Sequence, residues 1–131
     1  MDEGKPVVLV VEDETLLLQA IAKKLELAGM TTVTCVSGKQ ALEYLGTLPR
    51  LPDGIWLDYY LKDIDGLEFM EELKKNPAWA GIPVVVVTNS ASPEKAHRML
   101  ALGAKSYMVK SDYKLEKVVE TMREIIEESR L

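Results

Sequence analysis

The chain predicts an α/β fold in which five strand-then-helix units build one parallel sheet with helices on both faces. Three observations point there. Apolar or β-branched runs recur along the 131 residues as PVVLVV, TTVTCV, GIWL, PVVVV and SYMV. Stretches with helical spacing of apolar residues separate them. Four of the runs end on groups able to do chemistry: Glu12 and Asp13, Asp58, Thr88, and Lys110. In an open parallel sheet, the carboxyl ends of the strands lie together at one edge, where ligands bind.

The first strand is read over Pro6 to Val11, a continuous apolar run suited to a strand covered on both faces. A helix follows over Thr15 to Leu27, with Leu17, Ile21, Leu25 and Ala28 on one side and Gly29 as its stop. TTVTCV is the second strand. Ser37 caps a helix that runs to about Leu45. The segment GTLPRLPD reads as a loop because of its prolines. GIWLD is the third strand, and YYLKDIDG crosses the sheet edge.

Asp65 or Gly66 begins the third helix, with Leu67, Met70 and Leu73 facing inward and the stem of Lys74 at the margin. NPAWAGIP breaks that helix before PVVVVT, the fourth strand. Pro93 suits the first turn of a fourth helix, which leads through Met99, Leu100 and Leu102 to Gly103. SYMVK is the fifth strand. Leu115, Val118, Val119, Met122, Ile125 and Ile126 form the apolar face of a long last helix. The whole is expected to be a single domain over 1–131, with its core at about 6–126.

Composition narrows the function classes. A formal net charge of −5 disfavours direct nucleic-acid binding, which relies on Lys and Arg against phosphates. The run PVVLVV is far too short to span a bilayer. MDEGK lacks the basic flank of a signal peptide, so a cytoplasmic protein is expected. Cys35 is the only cysteine and reads as a small core residue. No GxGxxG or Walker loop is present, which argues against nucleotide binding through those motifs.

Each candidate site residue also has a plain structural reading. The acidic pair could end a solvated loop, Thr88 could simply close a β-branched strand, and Tyr107 could be a packed strand aromatic. Asp65 reads as a helix N-cap rather than a metal ligand. His97 reads as a surface residue. Trp56, Tyr59 and Tyr60 read as packing or loop residues, and Trp79 as the cover of an apolar edge.

Taken together, V-x-x-V-E-D, L-D-x-x-L-x-x-x-D-G, V-V-V-T and G-A-x-x-Y-x-V-K are highly specific. The chain strongly resembles the receiver domain of bacterial two-component response regulators, from roughly Pro6 to Ile126. The resemblance implies a flavodoxin-like (βα)5 three-layer sandwich with sheet order 2-1-3-4-5. It implies Asp58 as the phosphoacceptor, loaded from a phosphohistidine of a sensor histidine kinase or histidine phosphotransfer protein. Glu12, Asp13, Asp58 and the Tyr60 carbonyl would hold Mg²⁺. Lys110 and Thr88 would contact phosphoryl oxygens. Thr88 and Tyr107 would form the switch, and the fourth helix, fifth strand and fifth helix the output face. A downstream protein or output domain would read that face, and the receiver would be a monomer or weak homodimer. This is phosphoacceptor signalling with self-phosphorylation and autodephosphorylation, not conventional turnover. The alternative is a phosphorylation-independent protein-binding module on the same fold. A Mg²⁺-dependent phosphatase fits less well, because Tyr60 stands where its general acid would be and no cap insertion appears.

Three positions depart from the family pattern. Lys62 and Ser111 each replace a proline, and Asn89 replaces a small residue. A non-proline cis bond costs about 2.5–4 kcal/mol, so a trans Lys110–Ser111 bond is expected. Tyr60 and Ser90 would flank the path of water to Asp58, where a bulky tyrosine slows its entry.

Overall fold

The computed structural model describes residues 4–131; the first three residues of the predicted domain lie outside the described part. Five strands and five helices alternate. They are β1 (Val7–Val11), α1 (Thr15–Leu27), β2 (Thr31–Cys35), α2 (Gly38–Thr47), β3 (Gly54–Asp58), α3 (Gly66–Lys75), β4 (Val84–Thr88), α4 (Pro93–Ala101), β5 (Ser106–Val109) and α5 (Leu115–Ser129). The strands are all parallel, in the order β2-β1-β3-β4-β5. This is the expected flavodoxin-like arrangement.

The register explains the near-continuous apolar runs. Along β1, Val8 and Val10 enter one core layer while Leu9 and Val11 enter the other. Val85 and Val87 likewise face away from Val84 and Val86. The first layer joins the sheet to α1 and α5 through Leu18, Ile21, Leu25, Val118, Met122 and Ile126. The second joins it to α2, α3 and α4 through Ala41, Leu45, Phe69, Met70, Leu73 and Met99. Both faces of the central strands are therefore dry, as a sheet with crossover helices on both sides requires.

Several boundaries and faces differ from the sequence reading. In α1, Leu18 is buried while Leu17 and Ala28 are only partly covered. Leu18, Ile21 and Leu25 keep the helical spacing, but the sheet meets the helix one residue further round. In α3, Phe69 joins Met70 and Leu73 in full burial, whereas Leu67 is partly covered. Leu100 stays on the outside of α4. Helix α2 continues through Gly46 and Thr47, with the Thr47 hydroxyl donating to the Glu43 carbonyl. Strand β2 stops at Cys35, and Val36 is exposed with its N–H held by Gln40 Oε1 at 2.8 Å.

Other expectations hold. Gly29 follows α1 with φ +90°, and the Met30 N–H returns to the Leu25 carbonyl. Asp65 caps α3 by accepting from the Glu68 N–H at 2.9 Å. Lys74 lays its stem along the α3 margin and donates to the Ala80 carbonyl at 2.7 Å. Cys35 is buried, which pushes its thiol up to about 12. No peptide bond among the described residues is cis, so Lys110–Ser111 is trans. Among the described residues, no helix is long and apolar enough to cross a membrane.

Candidate functional site

Three adjacent strands deliver the central groups. Glu12 and Asp13 follow β1, Asp58 is the last residue of β3, and Thr88 is the last residue of β4. The β3–β4 register places Asp58 beside Val87, and the β4–β5 register places Thr88 beside Val109. Lys110 follows directly, with its N–H on the Thr88 carbonyl at 2.7 Å. Residues far apart in sequence thus meet because parallel strands all end at the same edge.

Glu12, Asp58 and Thr88 are the buried polar side chains among the described residues. One oxygen each from Glu12, Asp13 and Asp58 can lie within 4.8 Å of the others. Among the described residues, one cation faces them: Lys110 Nζ stands 3.3 Å from Glu12 Oε1 and 3.8 Å from Asp58 Oδ1. The trans bond to Ser111 therefore leaves the lysine within reach of both carboxylates. Three carboxylates against one ammonium leave an excess of negative charge in a partly dry cleft. That donor set, hard oxygens only, fits a divalent ion of the Mg²⁺ type.

Asp58 registers this environment. Burial, then the neighbouring Glu12 carboxylate, pushes it up to about 7, against the pull of Lys110 and of the Tyr60 N–H. A cation placed among the carboxylates would favour its charged form.

The loop after β3 is fastened at several points. The Lys62 N–H donates to Asp13 Oδ2 at 3.0 Å, a bond that proline has no hydrogen to make. Asp63 reaches back to α2 and accepts from the N–H groups of Gly38 at 3.1 Å and Lys39 at 2.8 Å. Burial opposes its charge, but the N–H donors of Lys39, Ile64 and Gly38 together lower its pKa. Gly66 donates its N–H to the Tyr59 carbonyl at 2.7 Å. A Cβ on Gly66 would stand 3.1 Å from the Tyr59 Cα, so glycine permits this close approach. The loop lacking proline is held by hydrogen bonds instead.

The rim carries the aromatics. Tyr59 is buried and Tyr60 is exposed, and their rings meet edge to face with centroids 4.9 Å apart. Lys95 Nζ hydrogen-bonds the Tyr60 hydroxyl and lies 4.7 Å from its ring centroid. The Thr88 hydroxyl accepts from the Ser90 N–H at 3.1 Å, and the Tyr107 hydroxyl donates to the Ser90 carbonyl at 3.0 Å. Burial raises the Tyr107 pKa against the pull of hydrogen bonding to Thr88 and Ser90. Tyr107 thereby connects β5 to the loop after Thr88. Asn89 and His97 are exposed, and Trp79 packs against the core edge.

Glu12, Asp13, Asp58 and Lys110 come together at the sheet edge, Thr88 and Tyr107 meet at Ser90, and the Tyr60 side chain turns to Lys95. Sequence reasoning missed Asp63, Lys95 and the Lys62 N–H. Asp63 and Lys95 act on other elements across the fold, and a main-chain N–H leaves no mark in residue type. Only the absence of proline at position 62 signalled an extra donor.

A parallel sheet of this order with acidic groups, a hydroxyl and a lysine at its carboxyl edge defines a receiver-type α/β protein. The chain belongs to the response regulator receiver domain family, whose description matches residues 8–123. It is 32% identical over 105 residues to the two-component response regulator ORR11 of Oryza sativa subsp. indica, covering 80% of this chain and 71% of that one. It is 35% identical over 128 residues to the transcriptional regulatory protein BaeR of Escherichia coli O6:H1, covering 96% of this chain but 50% of BaeR. The phosphorylated cyanobacterial phytochrome response regulator RcpA superposes with a TM-score of 0.79 at 27% identity, covering 93% of this chain and 91% of RcpA.

Proposed function

We propose that this receiver accepts a phosphoryl group on Asp58 from a phosphohistidine of a sensor kinase or phosphotransfer protein. An Asp58 oxygen attacks phosphorus, and the bond from phosphorus to the imidazole nitrogen breaks. The electron pair of that bond stays with the imidazole nitrogen, which takes up a proton from solvent and leaves as the free histidine. The product is an aspartyl phosphate. The observation that carries this reading is Asp58 itself, buried at the sheet edge with Lys110 Nζ at 3.8 Å and two further carboxylates beside it.

Mg²⁺, held by Glu12, Asp13, Asp58 and the Tyr60 carbonyl, would supply charge neutralisation for the phosphoryl oxygens. Lys110 binds a phosphoryl oxygen as a point charge, and Thr88 donates its hydroxyl to another. To reach the phosphoryl group, Thr88 gives up its bond from the Ser90 N–H. Because Tyr107 holds the Ser90 carbonyl, the same movement reaches β5. Phosphorylation then favours one state of the α4–β5–α5 face, which a downstream protein or output domain reads. The chemistry is stoichiometric signalling rather than turnover on a pool of substrate. The reading places a single receiver domain over 1–131, as monomer or weak homodimer, in the cytoplasm, without direct nucleic-acid contact.

Incubation of the pure protein with a small phosphoryl donor, with and without Mg²⁺, tests the reading by intact mass. The expected result is a Mg²⁺-dependent gain of one phosphoryl group that the Asp58→Asn variant does not show. A folded wild-type protein that gains none from either a small donor or phosphorylated kinases supports instead a phosphorylation-independent binding module.

A further inference from the structure

The α4 helix carries a lysine where a helix disfavours one. Lys95 sits in the first turn of α4, after the Ser92 cap and Pro93, where the helix dipole opposes positive charge. Its ammonium turns away from the helix axis to the loop after β3. There it hydrogen-bonds the Tyr60 hydroxyl and lies 4.7 Å from the Tyr60 ring centroid and 5.5 Å from that of Tyr59. Tyr60 is thus held through its hydroxyl at the ring edge, by a hydrogen bond from a charged donor.

The contact ends on an anchored structure. Tyr59 is buried, its N–H faces the Val87 carbonyl at 3.4 Å, and its own carbonyl takes the Gly66 N–H. Tyr60 stacks edge-to-face on that fixed ring. Tyr60 is 45% exposed, yet its ring is held from two sides. The main-chain N–H of the same residue, two places after Asp58, favours the charged form of the acceptor. The path from α4 to the acceptor is therefore short: Lys95 to the Tyr60 side chain, and the Tyr60 main chain to Asp58.

We propose that Lys95 is a positioning residue for the phosphoryl site, clamping Tyr60 over the rim beside Asp58 and so prolonging the life of the phosphoryl group. This rests on the acceptor role of Asp58 proposed above. While the clamp is closed, the Tyr60 ring screens the aspartyl phosphate from attacking water and its N–H stays beside the acceptor. When it opens, the ring swings to solvent and hydrolysis quickens. Because the clamp's charged half belongs to α4, any partner that captures Lys95 on that helix also shortens the signal.

The test loads the full chain with a small phosphoryl donor and Mg²⁺, removes the donor, and follows loss of the phosphoryl group by intact mass. Wild type is compared with Lys95→Ala, Lys95→Arg, Tyr60→Ala and the Lys95→Ala/Tyr60→Ala double variant. Lys95→Ala is expected to lose phosphate about two- to fivefold faster, the range of one exposed hydrogen bond. Lys95→Arg, which keeps the cation and its donors, restores the wild-type rate. In the Tyr60→Ala background, Lys95→Ala has no further effect, because the two residues act as one unit. A phosphorylated Lys95→Ala protein that decays at the wild-type rate, or effects of the two substitutions that simply multiply, overturns the clamp alone. A wild-type protein that takes no phosphoryl group overturns the acceptor reading, and the clamp with it.

Discussion

At Asp58 two sets of forces compete, and those that oppose its charge win. Burial and the Glu12 carboxylate oppose its charge, while Lys110 and the Tyr60 N–H favour it. The folded carboxyl stands at about 7, above its ordinary 3.8. A group raised in this way contributes stability that is complete below the unfolded value and is lost as pH rises through the folded one. In chelator-treated protein, Asp58 therefore withdraws stability between about pH 4 and pH 7. The Asp58→Asn variant, neutral at every pH, should melt above wild type at pH 7.5, with the gap closing toward pH 4. A gap of constant size across that range would show that Asp58 is not a strained acid. Asp58 could be picked out of the chain by its company with Glu12, Asp13 and Lys110. Its shifted acidity could not, because that depends on how much water the folded rim excludes.

Among the elements, α2 shows how a helix is completed from outside its own segment. Ser37 caps it locally by accepting from the Gln40 N–H at 3.1 Å, as its residue type announces. The N–H groups of Gly38 and Lys39 are satisfied instead by Asp63, from the loop that follows the acceptor. Removing that carboxylate should cost ~1–2 kcal/mol, the range of a strong N-cap. Urea unfolding of Asp63→Ala should show a lower midpoint with an unchanged slope, and Asp63→Asn, which keeps one acceptor oxygen, should lose less. A change within about 0.5 kcal/mol for Asp63→Ala would mark it as an ordinary surface substitution. Asp65, the local cap of α3, was legible because capping needs only a short polar residue at the start of its own helix. Asp63 was not, because its partner lies across the fold. The faces of α1 and α3 slipped for a related reason: periodicity identifies a stripe, but the angle at which the sheet meets it selects Leu18 over Leu17 and adds Phe69.

For the whole molecule, the acidic cluster exists only when β1 and β3 are paired, since each strand brings part of it. A divalent ion that binds this arrangement and not the unfolded chain must therefore stabilise the fold. At a hundred times its dissociation constant the gain is about 2.7 kcal/mol, which is several degrees of melting temperature for a protein of this size. Mg²⁺ should raise the wild-type melting temperature in a concentration-dependent way, and Asp13→Asn should abolish most of the rise. An equal rise in both proteins would place the ion elsewhere. The chain by itself determined the alternation of strands and helices, the two-sided burial of the sheet, and the residue types at the strand ends. These follow from local hydrophobic period and from groups that only a reactive edge would bring together. The five-strand order was reached through resemblance, since local patterning is indifferent to which buried strand neighbours which. Tertiary structure alone decided that the Lys62 N–H holds Asp13, that Asp63 closes α2, and that Lys95 reaches Tyr60. Each of these contacts depends on the distance and direction between separately folded segments, quantities that no single segment of sequence contains.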